Sequence, residues 1–479
     1  MDRIGIRCPH TKNGDAGLGG GDIYQEAKRD IKDAMQSISI HSNNHLTATG
    51  VRTLVLTSLG TALEYYDFVI FVFFTTVIGK LFFPVSMPDW MRQIQAFGIF
   101  AAGFMARPLG GIVMAHFGDK RGRKRMLTLS ILLMAIPTLL IGLLPTYQSI
   151  GWAAPLLLLL FRVVQGIAIG GEAPGGWVFA AEHARGGQLG LTVGLQTSGL
   201  CGGVLIGSLV AAGVSGAFSQ GQIINGFWRI PFLLGGIFGI IGMSLRRWLS
   251  ETPVFEEMRK RAEASRELPL RVVLRSHGRA VVASVMSFSM LMAGIMVVVL
   301  MGPALLQRLF QLSPRTVQSA NLAATAALCV STVAVGAATD RFGLRRVATP
   351  VLLLLIAATY GLYFSAARMQ SALLPFSILA GIGLGAVALP PIIAVRAFPS
   401  LVRFTGVSFS SNVAYALSGG LTPLFVSWLA HLNRMNPAHF IAATTALWLL
   451  ATLMAPNERF SNSQWLTLDA RSTRFESSM

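Results

Sequence analysis

The chain has 479 residues, of which 53% are hydrophobic and only 13% are charged, and its mean hydropathy is +0.59. This composition excludes a string of ordinary soluble domains, because most of the chain must face an apolar environment. The formal net charge is +18. The lysines and arginines lie in short clusters between apolar runs of bilayer-spanning length, so this charge indicates membrane topology rather than nucleic-acid binding. The three cysteines lack metal-like spacing, and we expect neither a disulfide framework nor a metal site.

The chain begins with a polar, glycine-containing stretch at 1–50, which lacks an apolar core long enough for a signal peptide. We expect this stretch to be a disordered cytoplasmic tail. A polar, serine-rich stretch at 457–479 is predicted to be a second cytoplasmic tail. A charged stretch at 250–279 is predicted to be a cytoplasmic linker between two halves of the protein.

Twelve apolar segments lie between the two tails, and each is long enough to cross a bilayer as a helix. The segments lie at about residues 52–78, 94–117, 127–146, 154–180, 189–214, 229–248, 280–304, 317–339, 347–366, 372–396, 404–430 and 438–455. When the connecting loops are assigned to alternate sides, most of the 39 lysines and arginines fall on the side of the N-terminus. This bias predicts that both termini are cytoplasmic.

A cationic turn at 119–125 follows the second segment and recurs in weaker form around Asp340, after the eighth. Such a recurrence indicates a duplicated six-helix unit. The sequence therefore predicts an all-α membrane protein with twelve transmembrane helices in two pseudo-symmetric six-helix bundles, at 51–249 and 280–456.

Ionisable groups within the membrane are concentrated in the first half, where each of them is costly to bury. Glu64 and Asp67 lie one turn apart on one face of the first segment, and Glu172 lies in the fourth segment beside glycines and a proline. Proton coupling needs a carboxylate that changes its protonation while the protein changes conformation, so these three residues are candidates for that role. The alternative is a structural ion pair with Arg107 or Arg162.

Arg162 lies in the fourth segment and is a cation that cannot lose its proton. Its planar guanidinium can bind a carboxylate at two points, either on a substrate or on the first segment. Gln165, Tyr66 and Asn412 are further candidates for substrate contact. The alternatives for these three are packing and ordinary interhelical hydrogen bonds.

Several strings resemble the major facilitator superfamily and, within it, the branch of metabolite:proton symporters. DKRGRK at 119–124 resembles the loop signature of the superfamily, and DRFG at 340–343 resembles the weaker copy of that signature in the second half of the chain. The strings that resemble the symporter branch are EYYDF at 64–68, RPLGG at 107–111, RVVQGIAIGGE at 162–172, WRIPF at 228–232, ETPVF at 251–255, FP at 398–399 and RFTG at 403–406.

The resemblance implies a proton-driven importer that works by alternating access and binds its substrate between the two halves. The implied substrates are small organic acids, such as citrate, 2-oxoglutarate, other dicarboxylates or shikimate, and zwitterionic osmolytes, such as proline and betaine. The resemblance also implies a latch on the cytoplasmic side, formed in the outward-open state. The latch candidates are Arg107, Asp119, Arg121, Gly122, Arg123, Asp340 and Arg341. Four positions depart from the pattern of the family: Ala115 replaces a glycine, Leu344 an arginine, Arg396 a glutamate and Ser411 a tyrosine.

The sequence shows no nucleophile with an adjacent base and no nucleotide-binding loop, so we expect neither an enzyme nor a cofactor. The expected energy source for transport is the proton gradient. The expected partners are a small-molecule substrate, protons and lipid, with no nucleic acid. We expect a monomer in a bacterial-type inner membrane. An exporter or facilitator of small metabolites is the nearest alternative, and a non-transporting membrane sensor is the alternative from another class.

Overall fold

The computed structural model describes residues 48–121, 123–182, 184, 187–247 and 269–454, without the side chains of 48–57, 113–128, 172, 245–247, 269, 400–401 and 454. Within these ranges the chain is helical and contains no β-strand. The two predicted tails lie outside the described residues, apart from the first residues of the helix that begins at Ala48. Most of the predicted linker also lies outside them, and its last part forms a short helix, Pro269–Ser276.

Each of the twelve predicted segments is helical in the structure, and four of them are interrupted. The helices are α1a (Ala48–Phe73), α1b (Thr75–Phe82), α2 (Asp89–Arg121), α3 (Arg123–Leu143), α4a (Ala153–Ile169), α4b (Glu172–Glu182), α5 (Leu189–Ala217), α6 (Ile230–Arg247), α7a (Gly278–Ile295), α7b (Gly302–Phe310), α8 (Pro314–Phe342), α9 (Leu344–Arg368), α10a (Leu373–Leu384), α10b (Leu389–Ala397), α11 (Ser400–Leu432) and α12 (Asn436–Met454). Among the described residues, eight helices are long and apolar enough to cross a membrane, or nine if α1a and α1b form one span. The predicted all-α membrane fold is confirmed.

Three of the four interruptions, in α1, α7 and α10, have distinct local geometries. The axis of α1 turns by 61° between α1a and α1b, and the Thr75 hydroxyl there donates a 2.9 Å hydrogen bond to the carbonyl of Val72. A π-helical turn at Met296–Leu300 interrupts α7, and a 3₁₀ turn at Gly385–Ala388 interrupts α10 ahead of two prolines. Non-helical backbone at membrane depth is tolerated where protein covers it, and all five residues of the π-helical turn are buried.

Small residues allow helices of the first half to touch helices of the second. A Cβ added to Gly190 of α5 would collide with the carbonyl oxygen of Gly336 in α8, and one added to Gly194 would lie 3.0 Å from the carbonyl oxygen of Thr332. Further along the same pair of helices, the Ser198 hydroxyl donates a 2.9 Å hydrogen bond to a backbone carbonyl of α8. The antiparallel pair α5 and α8 therefore packs at backbone distance, as small residues permit in lipid.

The second contact between the halves joins α2 and α11. A Cβ on Gly419 of α11 would collide with the ring of Phe104, and one on Gly420 would lie 3.1 Å from the side chain of Met105. These contacts hold α11 against the face of α2 that also carries Arg107. The candidate site is built around this face.

Candidate transport site

Arg162 of α4a is fully buried between α1, α2 and α3. Its Nη1 donates hydrogen bonds to the carbonyl oxygen of Phe68, at 3.1 Å, and to Oε1 of Gln165, at 2.8 Å. Its guanidinium carbon lies 4.5 to 5.2 Å from the ring centres of Phe68, Phe71 and Phe100, which is the distance of cation–π contacts. Nε and Nη2 have no hydrogen-bond partner among the described residues. Two donors of a fixed, buried cation thus remain available for an anion.

Gln165 holds the Arg162 side chain in place. Its side-chain nitrogen donates a 2.7 Å hydrogen bond to the hydroxyl of Thr138 in α3, which in turn donates to the carbonyl of Met134 at 2.8 Å. Gln165 is fully buried, and both ends of its amide are engaged by protein groups. Its predicted contact with substrate stays a prediction, and the geometry adds a role in orienting Arg162.

Asp67 lies buried on α1a, one turn after Glu64, and both side chains are at most 5% exposed. Its Oδ1 occupies the space beside Gly235 of α6, and the methyl group of Thr138 lies 2.6 Å from the Cβ position of the same glycine. Oδ1 has no hydrogen-bond partner among the described residues. Asp67 forms no ion pair with Arg107 or Arg162 in the described structure, so the alternative of a structural ion pair does not account for it.

Arg107 lies in the middle of the molecule, where α2 meets α4 and α11. The residue is fully buried, and its Nε donates a long, 3.4 Å hydrogen bond to Oδ1 of Asn412. Nδ2 of Asn412 donates a 2.5 Å hydrogen bond to the carbonyl of Gly170, at the break between α4a and α4b. The ring of Tyr415 covers the guanidinium of Arg107 at 4.4 Å. Arg107 was predicted to belong to the latch, but it lies about 18 Å along the helix from Asp119 and next to the substrate candidate Asn412.

The latch candidate Asp340 lies at the end of α8 and binds the start of α5. Its two carboxylate oxygens accept hydrogen bonds from the backbone nitrogens of Gly190, at 2.7 Å, and Leu191, at 2.8 Å. A carboxylate at a helix N-terminus satisfies free N–H groups and interacts favourably with the helix dipole. The guanidinium of Arg341 lies 5.3 Å from the ring of Phe342.

Several predicted site residues fall partly or wholly outside the description. Asp119 and Arg121 lie in the last part of α2, and Arg123 begins α3, but their side chains are not among the described ones. Gly122 lies outside the described residues altogether. The backbone of Glu172 begins α4b, and its side chain is likewise outside the description. The roles predicted for these residues stay predictions.

Tyr66 does not lie with the other candidates for substrate contact. Its hydroxyl donates a 2.7 Å hydrogen bond to the carbonyl of Pro231, and its ring packs edge-on against Phe238 at 4.9 Å. These contacts join α1 to α6 inside the first half.

Three residues that were not predicted as site residues from the sequence are central to the site, namely Phe68, Thr138 and Tyr415. A signal existed for Tyr415, which follows Asn412 by three residues and therefore shares its helix face.

Comparison with known proteins adds relatives and a family. The sequence matches the Major Facilitator Superfamily over residues 59–397. The chain is similar to a putative proline/betaine transporter of Staphylococcus aureus (strain COL), with 31% identity over 408 residues, 83% of this chain and 86% of the relative. It is also similar to the proline/betaine transporter of Salmonella typhimurium, with 29% identity over 427 residues, 83% of this chain and 82% of the relative.

The solved structures show a fold of the same kind. The chain is similar to the proton:xylose symporter XylE bound to 6-bromo-6-deoxy-D-glucose, with a TM-score of 0.69 and 15% identity, over 84% of this chain and 95% of that one. At this identity the likeness concerns the fold alone. The family match spans most of both predicted bundles, and the relatives are transporters rather than enzymes, as expected from the sequence. The chain therefore belongs to the major facilitator superfamily of membrane transporters.

Proposed function

We propose that this chain is a proton-coupled symporter, which imports a small carboxylate-bearing metabolite by alternating access. The substrate is an organic acid or a zwitterionic osmolyte. The observation that carries the proposal is the presence, in the same half of the protein, of two complementary buried groups. Among the described residues, the cation Arg162 has two nitrogens without an acceptor, and the carboxylate Asp67 has no cation partner. The relatives named as proline/betaine transporters support a substrate of this size.

Arg162 supplies the recognition of the carboxylate. A guanidinium in a dry, aromatic surrounding binds an anion more strongly than it does in water, because less screening opposes the interaction. The orientation of its fork is fixed by Gln165 and by the carbonyl of Phe68. A carboxylate bound at Nε and Nη2 would form the two-point contact that a planar fork favours.

Asp67 supplies the link between proton and substrate. An ionised carboxylate buried without a cation costs several kcal/mol, so closing the helices around Asp67 is favoured when the side chain carries a proton. Opening toward the cytoplasm returns the carboxylate to water and releases that proton. Because Asp67 and Phe68, whose carbonyl binds Arg162, are consecutive residues of α1a, a movement of the backbone at one group also moves the other.

Alternating access requires contacts that form at one end of the molecule and break in each cycle. Asp340 at the start of α5 is such a contact, since it joins a helix of the second half to one of the first. We assign this end to the cytoplasm, with both termini there and the protein in a bacterial inner membrane, from the distribution of lysines and arginines. The described structure then has its cytoplasmic end closed.

The test is uptake by the purified full-length chain in proteoliposomes, with and without an imposed inward proton gradient. The panel contains succinate, 2-oxoglutarate, citrate, shikimate, proline and glycine betaine. We expect at least one compound to accumulate above its external concentration only when the gradient is present. Equilibration without accumulation would indicate a facilitator, efflux that consumes the gradient would indicate an exporter, and either result would refute symport.

A further inference from the structure

The charge of Arg107 is buried without a matching anion among the described side chains. Its side chain is fully buried, its Nε donates a 3.4 Å hydrogen bond to Asn412, and the hydroxyl of Tyr65 also lies close enough to interact with the guanidinium. Nη1 and Nη2 have no hydrogen-bond partner among the described residues. An unpaired buried cation is strongly unfavourable for the fold. A residue held in this state needs a compensating ligand at some point of the cycle.

Arg107 lies close to Arg162, and one ring separates them. The guanidinium carbon of Arg107 is 5.9 Å from the ring centre of Phe68, and that of Arg162 is 4.5 Å from the same ring. The two cations are therefore no more than about 10 Å apart and interact through a shared aromatic group. Each of them has two nitrogens without a hydrogen-bond partner among the described residues.

Helix α11 covers Arg107 with two side chains on one face. Asn412 offers its amide oxygen to Nε, and the Tyr415 ring lies 4.4 Å from the guanidinium carbon. Because Arg107 belongs to the first half and α11 to the second, Asn412 and Tyr415 move away from Arg107 whenever α11 separates from α2. These two side chains therefore cover Arg107 only in conformations in which α2 and α11 are in contact.

We propose that Arg107 is a second anion-binding group beside Arg162, that the pair selects small compounds with two acidic groups, and that Asn412 and Tyr415 shield Arg107 when substrate is absent. This inference rests on the proposed function, since it names the substrate class of the same site. A carboxylate carbon lies about 4 Å from the guanidinium carbon in a two-point contact. A chain of a few carbon atoms between two carboxylates thus bridges the two arginines.

A zwitterion is the poorer ligand for such a pair. Its carboxylate satisfies one arginine, while its cationic nitrogen is repelled by the other in a surrounding of low dielectric constant. The aromatic faces that would otherwise attract a cationic nitrogen are already in contact with the guanidinium groups of the protein. The two arginines together therefore favour dianions.

Ligand binding to the purified full-length protein in detergent tests this inference without depending on proton coupling. The probes are succinate and 2-oxoglutarate as dianions, lactate as a monoanion, and proline and glycine betaine as zwitterions, and the readout is the dissociation constant from intrinsic tryptophan fluorescence. We expect the wild type to bind a dianion at least about tenfold more tightly than lactate or either zwitterion. In Arg107→Gln we expect the dianion affinity to fall to about the level for lactate, and the lactate affinity to stay.

The matched control is Arg92→Gln, which removes a cation from the first turns of the same helix, where the largely buried side chain of Arg92 pairs with Asp89. This variant should bind every probe as the wild type does. Asn412→Ala removes the competing acceptor and should tighten dianion binding, which a purely structural role of Asn412 would not do. If Arg107→Gln does not fold, Arg107→Lys serves in its place and should reduce the ratio of lactate to dianion dissociation constants, whereas Tyr415→Leu removes part of the cover from Arg107 and should raise that ratio.

Tighter binding of a zwitterion than of any dianion would overturn the inference, and so would an unchanged ratio in the Arg107 variants. Either result would leave proton-coupled symport standing if a zwitterion accumulates in the proteoliposome experiment. Conversely, selective dianion binding without accumulation would refute symport and support the arginine pair.

Discussion

Asp67 has no cation partner among the described residues, and we expect its replacement to separate proton coupling from substrate binding. Asp67→Asn keeps the size of the side chain and removes its titration. We expect this variant to lose accumulation driven by a proton gradient and to retain exchange of labelled for unlabelled substrate across the membrane, because exchange needs no net proton movement. Both activities are measured in proteoliposomes.

Asp89→Asn is the matched control for Asp67→Asn, because Asp89 is exposed at the start of α2 and pairs there with Arg92. Exposed ion pairs contribute little to stability, so this variant should accumulate substrate normally. Unchanged accumulation in Asp67→Asn would remove Asp67 from the coupling mechanism.

Arg162 illustrates that charge and geometry are separate requirements. Arg162→Lys retains the cation but loses the planar fork, which Gln165 and the Phe68 carbonyl hold in place. We expect KM for the transported compound to rise about tenfold or more, from the loss of a charged hydrogen bond. Arg368→Lys, at the exposed end of α9, should leave KM unchanged. A wild-type KM in Arg162→Lys would show that Arg162 does not bind substrate through its fork.

At the scale of helices, the contact between α5 and α8 depends on the absence of side chains. A Cβ on Gly190 would collide with the backbone of Gly336, whereas one on Gly213 of the same helix would meet nothing within 4 Å. We expect Gly190→Ala to separate the helices at this end and to shift the population toward the conformation that is open there. Gly213→Ala should have no such effect.

The measurement is the rate at which a membrane-permeant maleimide labels Cys201, which is buried within α5. Cys8 and Cys329 are replaced by serine so that a single thiol remains. Labelling should be faster in Gly190→Ala than in the parent protein and unchanged in Gly213→Ala. Equal rates in all three proteins would mean that close packing at Gly190 does not control opening at this end.

Helix ends show how local sequence sets the positions of these contacts. Helix α8 begins at Pro314 because the Ser313 hydroxyl accepts a hydrogen bond from the backbone nitrogen of Thr316, at 3.2 Å, and because proline is well suited to the first turn. From that start, 29 residues of helix carry Asp340 to the N-terminus of α5. The length of one helix therefore decides whether the cap forms.

At the scale of the whole molecule, hydropathy predicted twelve helices because each lipid-exposed segment must satisfy its own backbone hydrogen bonds. The same signal says little about which helix faces meet. Tyr66 and Asp67 are adjacent in a run that was recognised as a unit, yet Tyr66 is bound to the carbonyl of Pro231 and Asp67 lies beside Gly235. Both contacts are made to α6, at positions four residues apart, and no period in the sequence encodes which group of α6 each side chain meets.

The candidate site was predicted in part for a similar reason. Buried charge is rare enough in a membrane protein to draw attention to Arg162 and Asp67 from the sequence alone. Arg107 was equally visible, but its neighbours come from α11, more than three hundred residues away in the chain. The π-helical turn at Met296–Leu300 was not predicted, because its sequence of apolar residues is compatible with an ordinary α-helix.

The unused donors of Arg162 also have a thermodynamic consequence. Any anion that satisfies them lowers the free energy of the folded state by linkage, by about 2.7 kcal/mol at a concentration one hundred times its dissociation constant. The loaded transporter is then more stable than the empty one, and the ligand acts as a temporary part of the fold. A carrier must nevertheless release its cargo in every cycle, and each additional satisfied donor slows that release. The long, 3.4 Å hydrogen bond between Arg107 and Asn412 is suited to this requirement. Asn412 is a weak acceptor that can replace the anion at Arg107 as the substrate leaves, without competing strongly with the next substrate.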